Sequence, residues 1–178
     1  AQKCIVIPCG VYIEDWNVKA TREDLTKIIH MNTANKKIII TVGRLVKRKG
    51  VSWFIQNVLS QLHQDVIYLI IGDGPDRENI QKIIHSLHAE KNILLLGKVP
   101  DDILKIIYNT ADVFIMPNIP VAGTMEGFGI VAIEASSTGL PVIASDCEGI
   151  RDAIIPGKTG TLVIPQDSNT FIQLLKHL

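Results

Sequence analysis

Two stretches of this chain place charged side chains beside glycines at the entrance to a helix. The first reads Gly43-Arg44-Leu45-Val46-Lys47-Arg48-Lys49-Gly50. Arg44 and Lys49 are five positions apart, which suits a phosphate group. An arginine can grip two phosphate oxygens at once, and a lysine adds a mobile point charge. The helix that follows adds free N–H groups at its start. A solvated basic turn has the same composition, and the local residues alone do not separate the two readings.

The second stretch runs Pro117-Asn118-Ile119-Pro120-Val121-Ala122-Gly123-Thr124-Met125 into Glu126-Gly127-Phe128-Gly129 and then Ile130. Long loops at the carboxyl edge of a sheet are often functional. Gly127 and Gly129 let a ligand approach the backbone closely. Glu134 lies two helical turns beyond Gly127 on the same face, a rise of roughly 10 Å at 1.5 Å per residue, on the order of a ribose plus a diphosphate. Its neighbours Ile130, Val131, Ala132, Ile133 and Ala135 are apolar, so a carboxylate here needs partners. Vicinal sugar hydroxyls would serve, since a carboxylate accepts from two donors. A structural arginine or a backbone cap would also serve.

These loops need a scaffold, and the hydrophobic pattern supplies one. Continuous apolar runs mark strands at 38–42, 66–71, 93–96, 112–116, 142–145 and 161–164, as expected where both faces of a sheet are covered. Helical periodicity fills the gaps. Val51, Phe54, Ile55, Val58, Leu59 and Leu62 share one face, as do Ile80, Ile83, Ile84 and Leu87, and Ile103, Leu104, Ile107, Tyr108 and Ala111. A fourth helix is expected over 128–138, ended by Gly139 and Pro141. A last one covers 169–178, with Ser168 or Asn169 as its cap. Thr21 followed by Asp24 predicts a capped surface helix near the start. The fold class is therefore α/β, a Rossmann-like parallel sheet with helices on both faces. Ligands of such sheets bind beyond the carboxyl ends of the strands. The loops after Val42, Ile71, Leu96, Met116 and Ser145 are thus the ones to inspect.

Composition narrows the function classes. The 178 residues suit one well-cored domain, and 47% hydrophobic with 20% charged residues excludes a disordered chain. Eighteen acidic residues balance eighteen basic ones, which argues against a nucleic-acid binder. No apolar run is long enough for a transmembrane segment. Cys4, Cys9 and Cys147 make neither a disulfide framework nor a zinc set, and imply reduced thiols in a cytoplasmic setting. His85 and His88 lack a third ligand and are expected on the surface. Asp73-Gly74-Pro75-Asp76 has turn chemistry rather than the Asp-x-Asp spacing of a metal site.

Two glutamates separated by seven residues, with Phe-Gly after the first, resemble the signature of retaining GT-B glycosyltransferases, and of glycosyltransferase family four in particular (glycosyl transferases group 1). The resemblance covers nearly the whole chain. It includes Ile7-Pro8-Cys9-Gly10-Val11 as a linker, Gly43-Arg44-Leu45 with Lys49-Gly50, Ile71-Gly72-Asp73-Gly74-Pro75, Leu96-Gly97-Lys98-Val99, Gly139-Leu140-Pro141-Val142-Ile143-Ala144-Ser145 and Gly157-Lys158-Thr159-Gly160. The chain departs from the pattern at Cys9, where asparagine is usual. It departs again at Cys147-Glu148-Gly149-Ile150-Arg151-Asp152, where a Gly-Gly pair and a later glutamate are common.

The resemblance implies a division of labour. Arg44 and Lys49 would hold the donor diphosphate and steady it as it departs. Glu126 would contact the donor sugar and Glu134 the ribose. Backbone N–H groups of Phe128, Gly129 and Ile130, beside Gly127, would face the distal phosphate and sugar. The loop at Lys98 and Val99 would receive the base, with Gly43 beneath the phosphates. The donor would be a UDP-, GDP- or ADP-linked sugar, with no cofactor or metal required. It further implies residues 1–17 as an interdomain linker and 18–178 as the nucleotide-sugar-binding domain. The acceptor-binding N-terminal domain and the final C-terminal helix would lie outside this chain. This fragment would be inactive alone, and its parent cytoplasmic or peripheral at the inner membrane face. The main alternative is a stand-alone module that binds a nucleotide or nucleotide sugar without turnover. A GT-B relative with other chemistry fits less well: a phosphorylase would need a pyridoxal phosphate lysine that nothing here announces, and epimerases share the fold but not the Phe-Gly loop with its glutamate pair.

Overall fold

A computed structural model describes residues 9–62, 65–147 and 149–177. Cys4 and the Ile7-Pro8 start of the expected linker lie outside the described residues. In chain order the elements are α1 (Ile13–Trp16), α2 (Arg22–Ile29), β1 (Lys37–Val42), a 3-10 turn (Lys47–Lys49), α3 (Val51–Asn57), a second 3-10 turn (Leu59–Gln61), β2 (Val66–Ile71), α4 (Arg77–Ser86), β3 (Ile93–Gly97), α5 (Asp101–Thr110), β4 (Val113–Met116), α6 (Ile130–Ser137), β5 (Val142–Ser145), α7 (Ile150–Ala153), β6 (Thr161–Val163) and α8 (Ser168–Leu175).

The six strands form one parallel sheet in the order β3-β2-β1-β4-β5-β6. Chain direction across the sheet reverses between β1 and β4. The loops leaving those two neighbouring strands diverge to opposite faces and leave a crevice between them. Both glycine-bounded charged stretches of the sequence sit there, because one follows Val42 and the other follows Met116.

Alternation along the strands divides the core in two. Ile38, Ile40, Val42, Leu69, Phe114, Met116 and Ala144 meet α2, α5, α6 and α7 on one face. Ile39, Tyr68, Ile70, Val113, Ile115 and Ile143 meet α3, α4 and α8 on the other. Buried Thr41 donates to the Ile115 carbonyl at 2.7 Å and receives the Tyr68 hydroxyl at 2.7 Å, so its polar group is satisfied between sheet and helix layer.

Several element ends differ from the sequence reading. The stretch over 51–62 is not one helix: the backbone leaves helical geometry at Val58 (φ −118°) and resumes as a 3-10 turn. The Asn57 side chain bonds back to the Trp53 carbonyl at 2.8 Å, a contact that competes with helix propagation. Helix α6 begins at Ile130 rather than 128, because Gly129 takes a left-handed conformation (φ 78°) that places the turn before the helix. The cap of α8 is Asp167, not Ser168 or Asn169; its carboxylate accepts from the Thr170 N–H. The capping box at Thr21 and Asp24 is present as read. The stretch expected as linker carries a single helical turn, α1, whose Trp16 ring stands edge-on to Tyr108 at 5.5 Å.

Candidate functional site

The crevice is closed from below by a loop-on-loop contact. Gly50 ends the first 3-10 turn in the left-handed region (φ 68°), and a β-carbon there would overlap the Pro117 carbonyl oxygen. Only glycine lets the β1 loop press this closely on the β4 loop. Arg48 ties the same loops at two further points. Its carbonyl accepts from the Ile119 N–H at 2.9 Å, and its Nε donates to the Met125 carbonyl at 3.2 Å.

This closure brings Lys49 and Glu126 together. Lys49 Nζ lies 2.7 Å from Glu126 Oε2, and both side chains are about nine-tenths buried. Asn118 Nδ2 donates to the same oxygen at 3.0 Å, and Arg48 stands 3.8 Å away. Burial acts to raise the Glu126 carboxyl, but the Lys49 bond and charge, the Asn118 amide and the Arg48 charge outweigh it and hold the group below the usual carboxylate range. Glu126 is therefore an anion held in place, and Lys49 a cation whose ammonium sits beside Gly43.

Arg44 is separate from this pair. It is exposed and makes no ion pair among the described residues. With Gly43, Lys98, Val99 and Leu104 it lines an open cavity of about 590 Å³ at the carboxyl ends of β1, β2 and β3. Val99 and Leu104 give this cavity an apolar wall, and Arg44 and Lys98 bring cations to its lining.

Across the crevice, the N–H groups of Phe128, Gly129 and Ile130 have no backbone acceptor among the described residues. They stand where α6 begins, at the helix end whose N–H groups have no partner within the helix. The Gly127 carbonyl is pinned from behind, since a β-carbon at Gly149 would overlap it.

Glu134, further along α6, has neither the structural arginine nor the backbone cap considered above among the described residues. Its Oε2 accepts from the Tyr108 hydroxyl at 3.1 Å. Burial raises its carboxyl above the usual value, the Tyr108 bond lowers it in part, and Asp101 raises it again. Asn118, Arg48 and Tyr108 escaped the sequence reading as site residues. Tyr108 is indistinguishable there from the other members of an apolar helical stripe, and Asn118 from an ordinary loop amide.

Asp73 and Asp76 are consumed by turn and helix contacts: Asp73 accepts from the Gly74 N–H, and Asp76 from Ser52 and Asn79. His85 pairs with Glu90 at 2.8 Å. No cluster of three potential metal ligands occurs among the described residues. No helix among them is long and apolar enough to cross a membrane.

Residues 22–178 match the family model described as glycosyl transferases group 1. The chain belongs to this family. Among curated relatives, a sulfoquinovosyl transferase of Arabidopsis thaliana is 32% identical over 173 residues, covering 95% of this chain and 32% of the relative. A GDP-mannose-dependent α-(1-6)-phosphatidylinositol monomannoside mannosyltransferase of Mycolicibacterium smegmatis is 34% identical over 134 residues, covering 72% and 35%. Among solved structures, a sucrose-phosphate synthase from Thermosynechococcus elongatus superposes with a TM-score of 0.82 at 27% identity, covering 99% of this chain and 43% of the other. An Anabaena protein crystallised with UDP shares the fold, with a TM-score of 0.79 at 22% identity, covering 94% and 45%. The chain thus spans about a third of the length of these curated relatives and just under half of the solved chains. Its architecture is that of one Rossmann-like half of a GT-B glycosyltransferase.

Proposed function

We propose that this glycosyltransferase domain is the donor-binding half of an enzyme that moves a hexose from a nucleoside-diphosphate sugar to an acceptor with retention of anomeric configuration. The observation that carries the reading is the Lys49–Glu126 pair in the crevice between β1 and β4, shortly before the start of α6, where the Phe128, Gly129 and Ile130 N–H groups have no backbone acceptor among the described residues. Residues 1–17 are read as the linker to an acceptor-binding domain, consistent with relatives two to three times as long.

In this reading the base lies in the cavity against Val99 and Leu104, near Lys98. The diphosphate spans Arg44 and Lys49. The ammonium has three donors, so Lys49 can hold Glu126 and a phosphate oxygen together. The N–H groups of Phe128, Gly129 and Ile130 meet the distal phosphate, and Glu126 accepts from hydroxyls of the sugar. In the transfer, the bond from the anomeric carbon to the diphosphate oxygen breaks and its electron pair leaves with the diphosphate. The acceptor oxygen bonds to the anomeric carbon, and its proton passes to the departing diphosphate oxygen. The residues named stabilise the charge that collects on the leaving diphosphate, in a crevice already arranged to receive it.

Calorimetric titration with UDP, GDP and ADP tests the site and names the base. One diphosphate should bind and lose affinity on Arg44→Ala. Failure of all three to bind the domain and the full-length parent would overturn the reading. Sugar transfer by the parent that persists in both Lys49→Ala and Glu126→Ala would overturn the assigned roles.

A further inference from the structure

Tyr108 belongs to α5, and its ring is buried at 1% exposure. Its hydroxyl reaches out of the core to Glu134 Oε2 at 3.1 Å, closer than to the Val131 carbonyl at 3.5 Å. Glu134 Oε1 has no protein partner among the described residues. One carboxylate oxygen is therefore anchored and the other is left to a ligand. Leu104, one turn before Tyr108 on the same face of α5, lines the cavity read above as the base site. The helix that shapes the base pocket thus also fixes the carboxylate.

The anchor is itself clamped. Trp16 stands edge-on to the Tyr108 ring at 5.5 Å. The Trp16 carbonyl accepts from Asn109 Nδ2 at 2.8 Å, and Lys105 Nζ lies 5.9 Å from the centre of the Trp16 ring. Phe114 packs against Tyr108 from the sheet side at 6.1 Å. Held by Trp16 and Phe114, the ring has little freedom to swing its hydroxyl away.

We infer that Tyr108 is a positioning residue that binds one oxygen of Glu134 and so presents the other to the vicinal ribose hydroxyls of the nucleotide. The inference rests on the donor-site reading above. It adds a residue that touches no ligand and acts through Glu134. Burial and the Asp101 charge raise the Glu134 carboxyl, and the Tyr108 hydroxyl offsets them in part by favouring the ionised form.

The discriminating quantity is the ratio of affinities for a nucleoside diphosphate and its 2′,3′-dideoxy analogue, measured by calorimetry on this chain with the base that binds. Wild type should prefer the ribose form by about tenfold, the effect of hydrogen bonds to a charged acceptor. Glu134→Ala should bring the ratio near one. Tyr108→Phe keeps the ring and its packing on Trp16, and should lower the ratio at least threefold while leaving affinity for the dideoxy analogue unchanged. Equal weakening of both ligands in Tyr108→Phe, or an unchanged ratio there when Glu134→Ala abolishes it, would overturn the positioning role alone. An unchanged ratio in Glu134→Ala would overturn the ribose assignment and the inference with it.

Discussion

Lys49 Nζ and Glu126 Oε2 lie 2.7 Å apart although they come from loops that follow different strands. Each is the other's main counter-charge in a largely dry crevice. Removing one partner leaves a buried charge with weaker compensation. Lys49→Met should cost about 2 kcal/mol of stability, and Glu126→Gln about the same. The double variant should cost less than their sum. A double-mutant cycle in urea checks this, and additive losses would show that the pair is not coupled.

Arg44 offers the contrast. It is exposed and has no ion-pair partner among the described residues, so folding does not use it. Arg44→Ala should leave the melting temperature within a degree or two of wild type, as about ±0.5 kcal/mol for such a surface change implies. Nucleoside-diphosphate affinity should fall about tenfold to a hundredfold, the span of roughly 1.5–3 kcal/mol for charge-assisted hydrogen bonds. A large loss of stability without loss of affinity would reverse the roles assigned to this side chain.

The two glutamates should respond to pH with opposite signs. Glu126 has a folded pKa below the ordinary 4.5, so its contribution to stability is present above 4.5 and lost as pH falls through the lower folded value. Glu134 has a folded pKa above the ordinary 4.5, so its contribution is present below 4.5 and lost as pH rises through the higher folded value. Glu126→Gln should therefore cost more at neutral pH than in acid. Glu134→Gln should instead gain stability relative to wild type as pH rises from below 4.5 to neutrality. Urea unfolding of both variants across that range separates the cases, and parallel curves would refute the assignment.

Gly50 and Gly123 have nearly the same left-handed backbone, φ 68° and 76°, in different surroundings. A β-carbon at Gly123 meets nothing within 4 Å, whereas at Gly50 it overlaps the Pro117 carbonyl. Gly123→Ala should cost about 1 kcal/mol, the conformational penalty alone. Gly50→Ala should cost about 2–4 kcal/mol, since the loops must also part. Equal costs by chemical denaturation would mean that the β1 and β4 loops are not pressed together in solution.

Much of the scaffold was legible before any coordinates. A strand buried on both faces must be continuously apolar, so all six appear as runs in the sequence, within a residue or so at each end. Helix ends were less legible. Gly129 reads as a residue of the helix until its left-handed backbone is seen, and Asp167 competes as a cap with Ser168 and Asn169 on composition alone.

The sequence by itself marked two loops where glycines, cations and carboxylates cluster at helix entrances, because side-chain type and spacing are local properties, and the match over residues 22–178 determined the family. Only the tertiary structure decided which of those loops meet. The order β3-β2-β1-β4-β5-β6 makes β1 and β4 neighbours, and no local periodicity encodes strand order. It also decided that Lys49 finds Glu126, that Asn118 steadies it, and that Tyr108 bonds to Glu134. Those contacts depend on which helix faces pack together across the sheet, a property of the whole core rather than of any segment.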